Sequence, residues 1–197
     1  MPFNLPNLLT WLRILLIPLT AGVFYLPDGW LPPFEANLLA AACFGVAALT
    51  DWLDGYLARR LGQTSAFGAF LDPVADKLMV AAALIVLVDL GRAAPVIALI
   101  IIGREITISA LREWMAKVGK SSSVAVSFVG KLKTTVQMAA IVLLLYHQPL
   151  WGLNTQASGT VLIWIAAMLT LVSMTYYLRV AARALQNQTT AVVDTKS

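Results

Sequence analysis

Six apolar runs constrain this chain more than any other feature. Each is long enough to cross a hydrocarbon core of ~30 Å, which takes about 20 helical residues. They fall roughly at 7–26, 36–61, 67–90, 94–117, 130–147 and 159–183. Pro27, Pro32 and Pro33 break the chain after the first run, and Gly62 to Ser65 turn it after the second. Gly91 to Pro95, Gly119 to Ser123 and Pro149 to Gln156 mark the remaining joins. Hydrophobic residues make up 59% of the 197, charged residues only 12%, and mean hydropathy is +0.79. A soluble domain does not carry that balance. The expected fold is all-α, a polytopic bundle of six transmembrane helices in a single domain over 1–185. Residues 186–197 are polar and aperiodic and read as a disordered cytoplasmic tail. The first run is too long for the apolar part of a signal peptide and has no small-residue cleavage site after it, so it reads as a span. Cys43 is the single cysteine, which leaves no disulfide within the chain and no thiolate metal site.

Charge placement sets the orientation. Arg59, Arg60, Arg112, Lys117, Lys120, Lys131, Lys133, Arg179, Arg183 and Lys196 fall on one side of the six runs. The other side has Arg92 together with Asp28, Glu35 and Asp89. Cytoplasmic loops carry the excess of Lys and Arg, so both termini are expected in the cytoplasm.

The segment Thr50 to Lys77 holds four of the ten acidic residues, at the join of the second and third runs. Asp51 and Asp54 are three apart, Asp72 and Asp76 four apart, so each pair shares a helix face. Asp54 and Asp72 lie nine residues on either side of Gln63. An antiparallel hairpin turning there sets 54 opposite 72 and 51 opposite 76. At ~1.5 Å per residue the pairs sit roughly 14–19 Å in from the turn. Carboxylates gathered in a low dielectric repel one another and take up protons or cations. Their oxygens are hard ligands, which favours Mg²⁺ or Mn²⁺ with Ca²⁺ as a further candidate, and no His or Cys is near enough to favour zinc. Two divalent ions suit four carboxylates and an in-line displacement at phosphorus. A salt-bridge network is the structural alternative, but only Arg59, Arg60 and Lys77 are local to it. Gly55 and Ala58 lie on the Asp51 face and Gly68 one turn before Asp72; they leave room for a ligand, or for close helix packing.

Further polar residues gather at the same end. Glu105, Ser109 and Arg112 share a face of the fourth run, with Arg104 beside them, deep in apolar sequence. Gly130, Lys133, Thr134 and Gln137 share a face of the fifth, with Lys131 adjacent; Asn7, Thr10 and Arg13 mark the first. Lys117, Lys120, Arg179 and Arg183 read as snorkelling cations at helix ends. Arg112, Lys131 and Lys133 flank the predicted carboxylate site and suit a phosphorylated substrate, with Arg104 and Arg13 as weaker candidates. His147 and Trp151 read as interfacial anchors of the opposite side.

Asp51-x-x-Asp54-Gly55-x-x-Ala58-Arg59, eight residues, Gly68, three residues, Asp72, three residues and Asp76 resembles the full signature of the CDP-alcohol phosphatidyltransferase family. The resemblance implies a transferase in which Asp51, Asp54, Asp72 and Asp76 bind two divalent metals, Mg²⁺ or Mn²⁺, against a CDP pyrophosphate. It implies that Gly55, Ala58, Arg59 and Gly68 lie along the CDP moiety, and that Asp76 is the general base. Segments outside the signature carry it further: Phe3 to Pro6 with Leu8 to Thr10, Arg104-Glu105 leading to Ser109 to Trp114, and Ser122 to Ser127 leading to Gly130-Lys131-x-Lys133-Thr134. These resemble the bacterial branch of the family that takes sn-glycerol 3-phosphate as acceptor. They imply CDP-diacylglycerol as donor, CMP as leaving group, Arg112, Lys131, Lys133, Arg104 and Arg13 as acceptor-phosphate ligands, a homodimer, and a place in the bacterial inner membrane with the site facing the cytoplasm. No nucleic-acid polymer is expected as a partner.

Two other readings stay open on sequence. The same chemistry with inositol phosphate, serine or phosphatidylglycerol as acceptor would leave the donor half unchanged. A divalent-cation transporter would need polar residues continuing to the far side, and the outer halves of the six runs are almost purely apolar.

Overall fold

A computed structural model of the chain describes residues 5–61, 66–117 and 128–194. Side chains at 5–7, 52, 54–61, 66–67, 69, 128–131, 180 and 182–194 lie outside what it describes. Among the described residues the regular structure is helical: α1 (Leu5–Gly22), α2 (Pro33–Leu61), α3 (Ala66–Asp89), α4 (Pro95–Lys117), α5 (Phe128–Tyr146) and α6 (Thr155–Asp194), with one 3-10 turn at Val23–Tyr25 after α1. The expected all-α class is borne out, and each expected run coincides with one helix.

The ends of the helices follow from local chemistry. α2 and α4 both open on a proline, whose fixed φ suits the first helical position and whose missing N–H is not needed there. Glu35 sits in the first turn of α2, where the helix dipole favours an anion. Asn154 caps α6, its Oδ1 accepting from the Ala157 N–H at 3.0 Å. Gly91, at φ +66°, turns the chain from α3 towards α4. Within the apolar stretches hydroxyls return to their own helix: Thr20, Thr160 and Thr170 each donate to the carbonyl four residues back.

α6 runs on to Asp194, through residues 186–194 that were expected to form an irregular tail. Ala182, Ala184, Leu185, Gln186 and Gln188 are strong or adequate helix formers. Absence of apolar periodicity removes the sign of a packed face, not the backbone's capacity to stay helical.

Among the described residues three stretches are long and apolar enough to cross a membrane by length and composition: Leu8–Tyr25, Pro33–Asp51 and Thr155–Arg179. α3 and α4 miss that measure because ionisable residues interrupt them: Asp72, Asp76 and Lys77; Arg104, Glu105 and Arg112. In α5 the described apolar stretch, Leu132–Tyr146, is shorter than a span.

The core joins the middle of the bundle, with Phe44 of α2, Leu84 and Leu87 of α3, Ile101 of α4, Ile141 and Leu144 of α5 and Ile163 of α6 fully buried. α5 and α6 pack most closely. A Cβ on Gly159 would stand 2.8 Å from Leu144 Cγ and 3.3 Å from the Ala140 carbonyl oxygen, so glycine lets the two helices meet there. α1 packs against both α2 and α3, which touch each other little. That placement positions the site.

Candidate active site

Two of the aspartates are tied through α1. Arg13, fully buried, places NH1 2.8 Å from Asp51 Oδ1 on α2. One turn away Thr10 Oγ1 donates to Asp72 Oδ1 on α3. The described ends of the predicted hairpin are thus bridged by the first helix rather than closed directly on each other. Asp54, Gly55, Ala58 and Arg59 are helical residues of α2 whose side chains lie outside the described set. Gly68 is buried near the start of α3. Pro73, inside α3 between Asp72 and Asp76, cannot donate to the carbonyl of Ala69.

Asp76 faces inward, within electrostatic reach of Asp51, Glu105, Arg13 and Lys77. It lines a cavity of about 220 Å³ with Lys77 of α3, Arg104, Glu105 and Arg112 of α4, Thr134 and Gln137 of α5, and Tyr177 of α6. Four helices therefore contribute polar side chains to one space.

The cations around it are not equivalent. Lys133, 2% exposed, and Arg104 both spend their charge on one oxygen, Glu105 Oε1, at 2.5 and 2.9 Å. Arg104 also donates to Ser173 Oγ at 3.2 Å. Arg13 is committed to Asp51. Among the described residues Arg112 meets a neutral partner, donating from NH2 to the Tyr177 hydroxyl at 3.1 Å with its guanidinium 5.4 Å from that ring's centre. Arg104 lies 5.7 Å from the same ring centre, so Tyr177 stands beside two guanidinium groups. Of the five cations expected at a substrate phosphate, Arg112 is held ready, Arg104 and Lys133 are balanced by Glu105, and Arg13 belongs to the aspartate side. The Lys131 side chain lies outside the described residues, as do residues 122–127.

Buried polar atoms without a hydrogen-bond partner cluster here. Asp76 Oδ1, Gln137 Oε1 and Arg104 Nε are all in this state among the described residues, and all three residues line the cavity. Folded proteins pair nearly all such atoms. Two open acceptors and one open donor around one space suit a polar ligand.

The metal expectation meets this geometry in part. A buried carboxylate oxygen with no donor suits a hard cation, and the aspartates supply the oxygen ligands Mg²⁺ or Mn²⁺ prefer. Among the described residues no three His, Cys, Asp or Glu side chains come together as a ligand set. The Asp54 side chain, the fourth of the expected set, is not among those described.

Sequence reasoning had not singled out Tyr177 or Ser173, and named Lys77 only as a cation local to the aspartates. Tyr177 lies 65 residues from Arg112. Its local signal is a polar stripe, Thr170, Ser173 and Tyr177 at helical spacing, which by itself does not name the helix it faces.

The sequence profile of the CDP-alcohol phosphatidyltransferase family matches residues 3–172. The chain is 50% identical over 190 residues to the CDP-diacylglycerol–glycerol-3-phosphate 3-phosphatidyltransferase of Escherichia coli (strain K12), covering 95% of this chain and 100% of that protein. It is 49% identical, with the same coverage, to the proteins of that name from Salmonella typhimurium (strain LT2) and Salmonella choleraesuis (strain SC-B67).

Proposed function

We infer the reaction from one premise: this chain belongs to the CDP-alcohol phosphatidyltransferase family. It transfers the phosphatidyl group of CDP-diacylglycerol to sn-glycerol 3-phosphate, giving phosphatidylglycerophosphate and CMP, a step of phospholipid biosynthesis. The cavity walled by Asp76, Arg112 and Gln137, with its unpaired polar atoms, is the observation that carries the reading to particular residues.

The acceptor's phosphate lies at Arg112, whose partner among the described residues is the neutral Tyr177, with Lys131, Lys133, Arg104 and Arg13 adding positive potential behind it. This sets the free primary hydroxyl towards Asp76. The Asp76 carboxylate takes the hydroxyl proton as the oxygen attacks the phosphorus bearing diacylglycerol. A new P–O bond forms, the bond to CMP breaks, and CMP leaves with the bonding electrons. Holding hydroxyl and base in register is worth more than the base alone, since proximity removes entropy from the barrier. Asp51, Asp54, Asp72 and Asp76 are the residues to hold divalent metal, Mg²⁺ or Mn²⁺ and two ions, which when bound neutralises the donor's pyrophosphate and its departing charge. Arg13 and Thr10 orient Asp51 and Asp72 for that task. Gly55, Ala58, Arg59 and Gly68 accommodate the cytidine end.

The enzyme crosses the bacterial inner membrane six times, with both termini and the cavity on the cytoplasmic side. The support is that α3, α4 and α5 carry their charges where the site requires them and are otherwise apolar. The one-sided excess of Lys and Arg sets the direction. Exposed Trp164, Met168 and Val172 on α6 suit a lipid-facing surface. A homodimer in the membrane completes the proposal, on the strength of the family resemblance.

The test is CMP release by the purified protein in mixed micelles of CDP-diacylglycerol, with glycerol 3-phosphate, inositol phosphate, serine and phosphatidylglycerol offered in turn. Release with glycerol 3-phosphate alone is expected. Release with another acceptor and not with this one contradicts the proposal. Uptake of Mn²⁺ into proteoliposomes without nucleotide would favour a transporter.

A further inference from the structure

Gln137 is buried to 3% exposure on α5. Its amide makes no hydrogen bond among the described residues, and its Oε1 is closed off from water. It lines the same cavity as Asp76 and Arg112, which stand on α3 and α4. A buried amide left with neither of its partners costs stability, and an apolar residue of similar length would fill the place without that cost.

We propose that Gln137 is a specificity-determining residue that reads the secondary hydroxyl of the acceptor alcohol. The inference rests on the reading of the cavity as the glycerol 3-phosphate site. That molecule has a phosphate at one end, the reacting hydroxyl at the other and one secondary hydroxyl between them. Arg112 takes the first and Asp76 the second. The amide of Gln137 shares their cavity, and its open carbonyl oxygen accepts from the remaining hydroxyl while its NH₂ can donate to the same oxygen. A site built to hydrogen-bond a hydroxyl rejects the analogue lacking it, because the site's own polar group is then left unpaired.

The test compares glycerol 3-phosphate with 3-hydroxypropyl phosphate, which lacks only the secondary hydroxyl, by kcat/KM for CMP release. The native protein is expected to prefer glycerol 3-phosphate by about 10- to 100-fold. Gln137→Met is expected to collapse that ratio to near unity while keeping, or raising, activity on 3-hydroxypropyl phosphate. Retained activity on the deoxy substrate shows that the variant is folded. A merely structural glutamine would lower both activities together and leave the ratio unchanged, and that result overturns the proposal. Equal use of both substrates by the native protein overturns it too, without need of any variant. The underlying reading fails separately, if glycerol 3-phosphate does not release CMP from the native protein at all.

Discussion

The two ends of the bundle each anchor an arginine, and they use it in opposite ways. At the end away from the cavity Arg92, half-buried in the turn between α3 and α4, donates to the carbonyls of Leu144 and Leu145 at 3.3 and 3.0 Å and to Asn37 Oδ1 at 2.8 Å. Its guanidinium rests 5.5 Å from the centre of the Phe24 ring. Its own carbonyl accepts from Gln156, which in turn meets His147. These partners are neutral and the carbonyls belong to the last turn of α5, where a helix end favours a cation. Burial lowers the Arg92 pKa, the sign expected where no carboxylate compensates the charge. At the cavity end Arg104 and Lys133 share Glu105, Arg112 meets a neutral tyrosine, and Asp76, Gln137 and Arg104 keep unpaired buried atoms. One end ties helices together with its donors spent. The other keeps charge and hydrogen-bonding capacity in reserve, at a cost in stability, for a substrate that brings the missing partners.

Three changes can break that contrast. Glu105→Gln should have the largest effect on stability. It strands the buried Lys133 ammonium beside Arg104, and breaking a buried pair costs about 3–5 kcal/mol. A lower melting temperature in detergent is expected, with recovery in Glu105→Gln combined with Lys133→Met. If the single variant melts like the native protein, Glu105 is not the anion that balances these cations. Arg92→Gln comes next, at about 2–3 kcal/mol for lost hydrogen bonds to a charged group. Melting should fall while kcat and both KM values hold, because nothing at that end touches substrate. A change in acceptor KM would show the two ends to be coupled. Gly159→Ala should cost least, about 1–2 kcal/mol of overpacking against Leu144, again without kinetic effect. A neutral result there would mean that α5 and α6 can separate slightly.

Much of this was legible in the sequence because it is local. Helix-length apolar runs between Gly and Pro breaks gave six helices, and the spacing of Asp51, Asp54, Asp72 and Asp76 marked the acidic end. The spacing of Glu105, Ser109 and Arg112 within α4 placed polar groups on one face, with Arg104 beside it. What was not legible is how helices distant in sequence choose partners. Nothing in Thr10 or Arg13 indicates that α1 lies against both α2 and α3, holding Asp72 and Asp51 in between. Tyr177 could not be separated from other aromatic residues of a membrane span. The five candidate cations looked alike in sequence; only their partners in space set Arg112 apart from Lys133 and Arg104. The extent of α6 was missed because a polar helix without a packed face leaves no periodic trace.

The account depends most on Asp76 as the group that removes the acceptor's proton. Asp76→Asn keeps the shape and removes the base. Turnover of CDP-diacylglycerol and glycerol 3-phosphate should fall by about 10²–10⁴, while metal-dependent binding of CDP-diacylglycerol, followed in the same preparation, persists. Turnover at the native rate in that variant would contradict the assignment and return the cavity to a structural role.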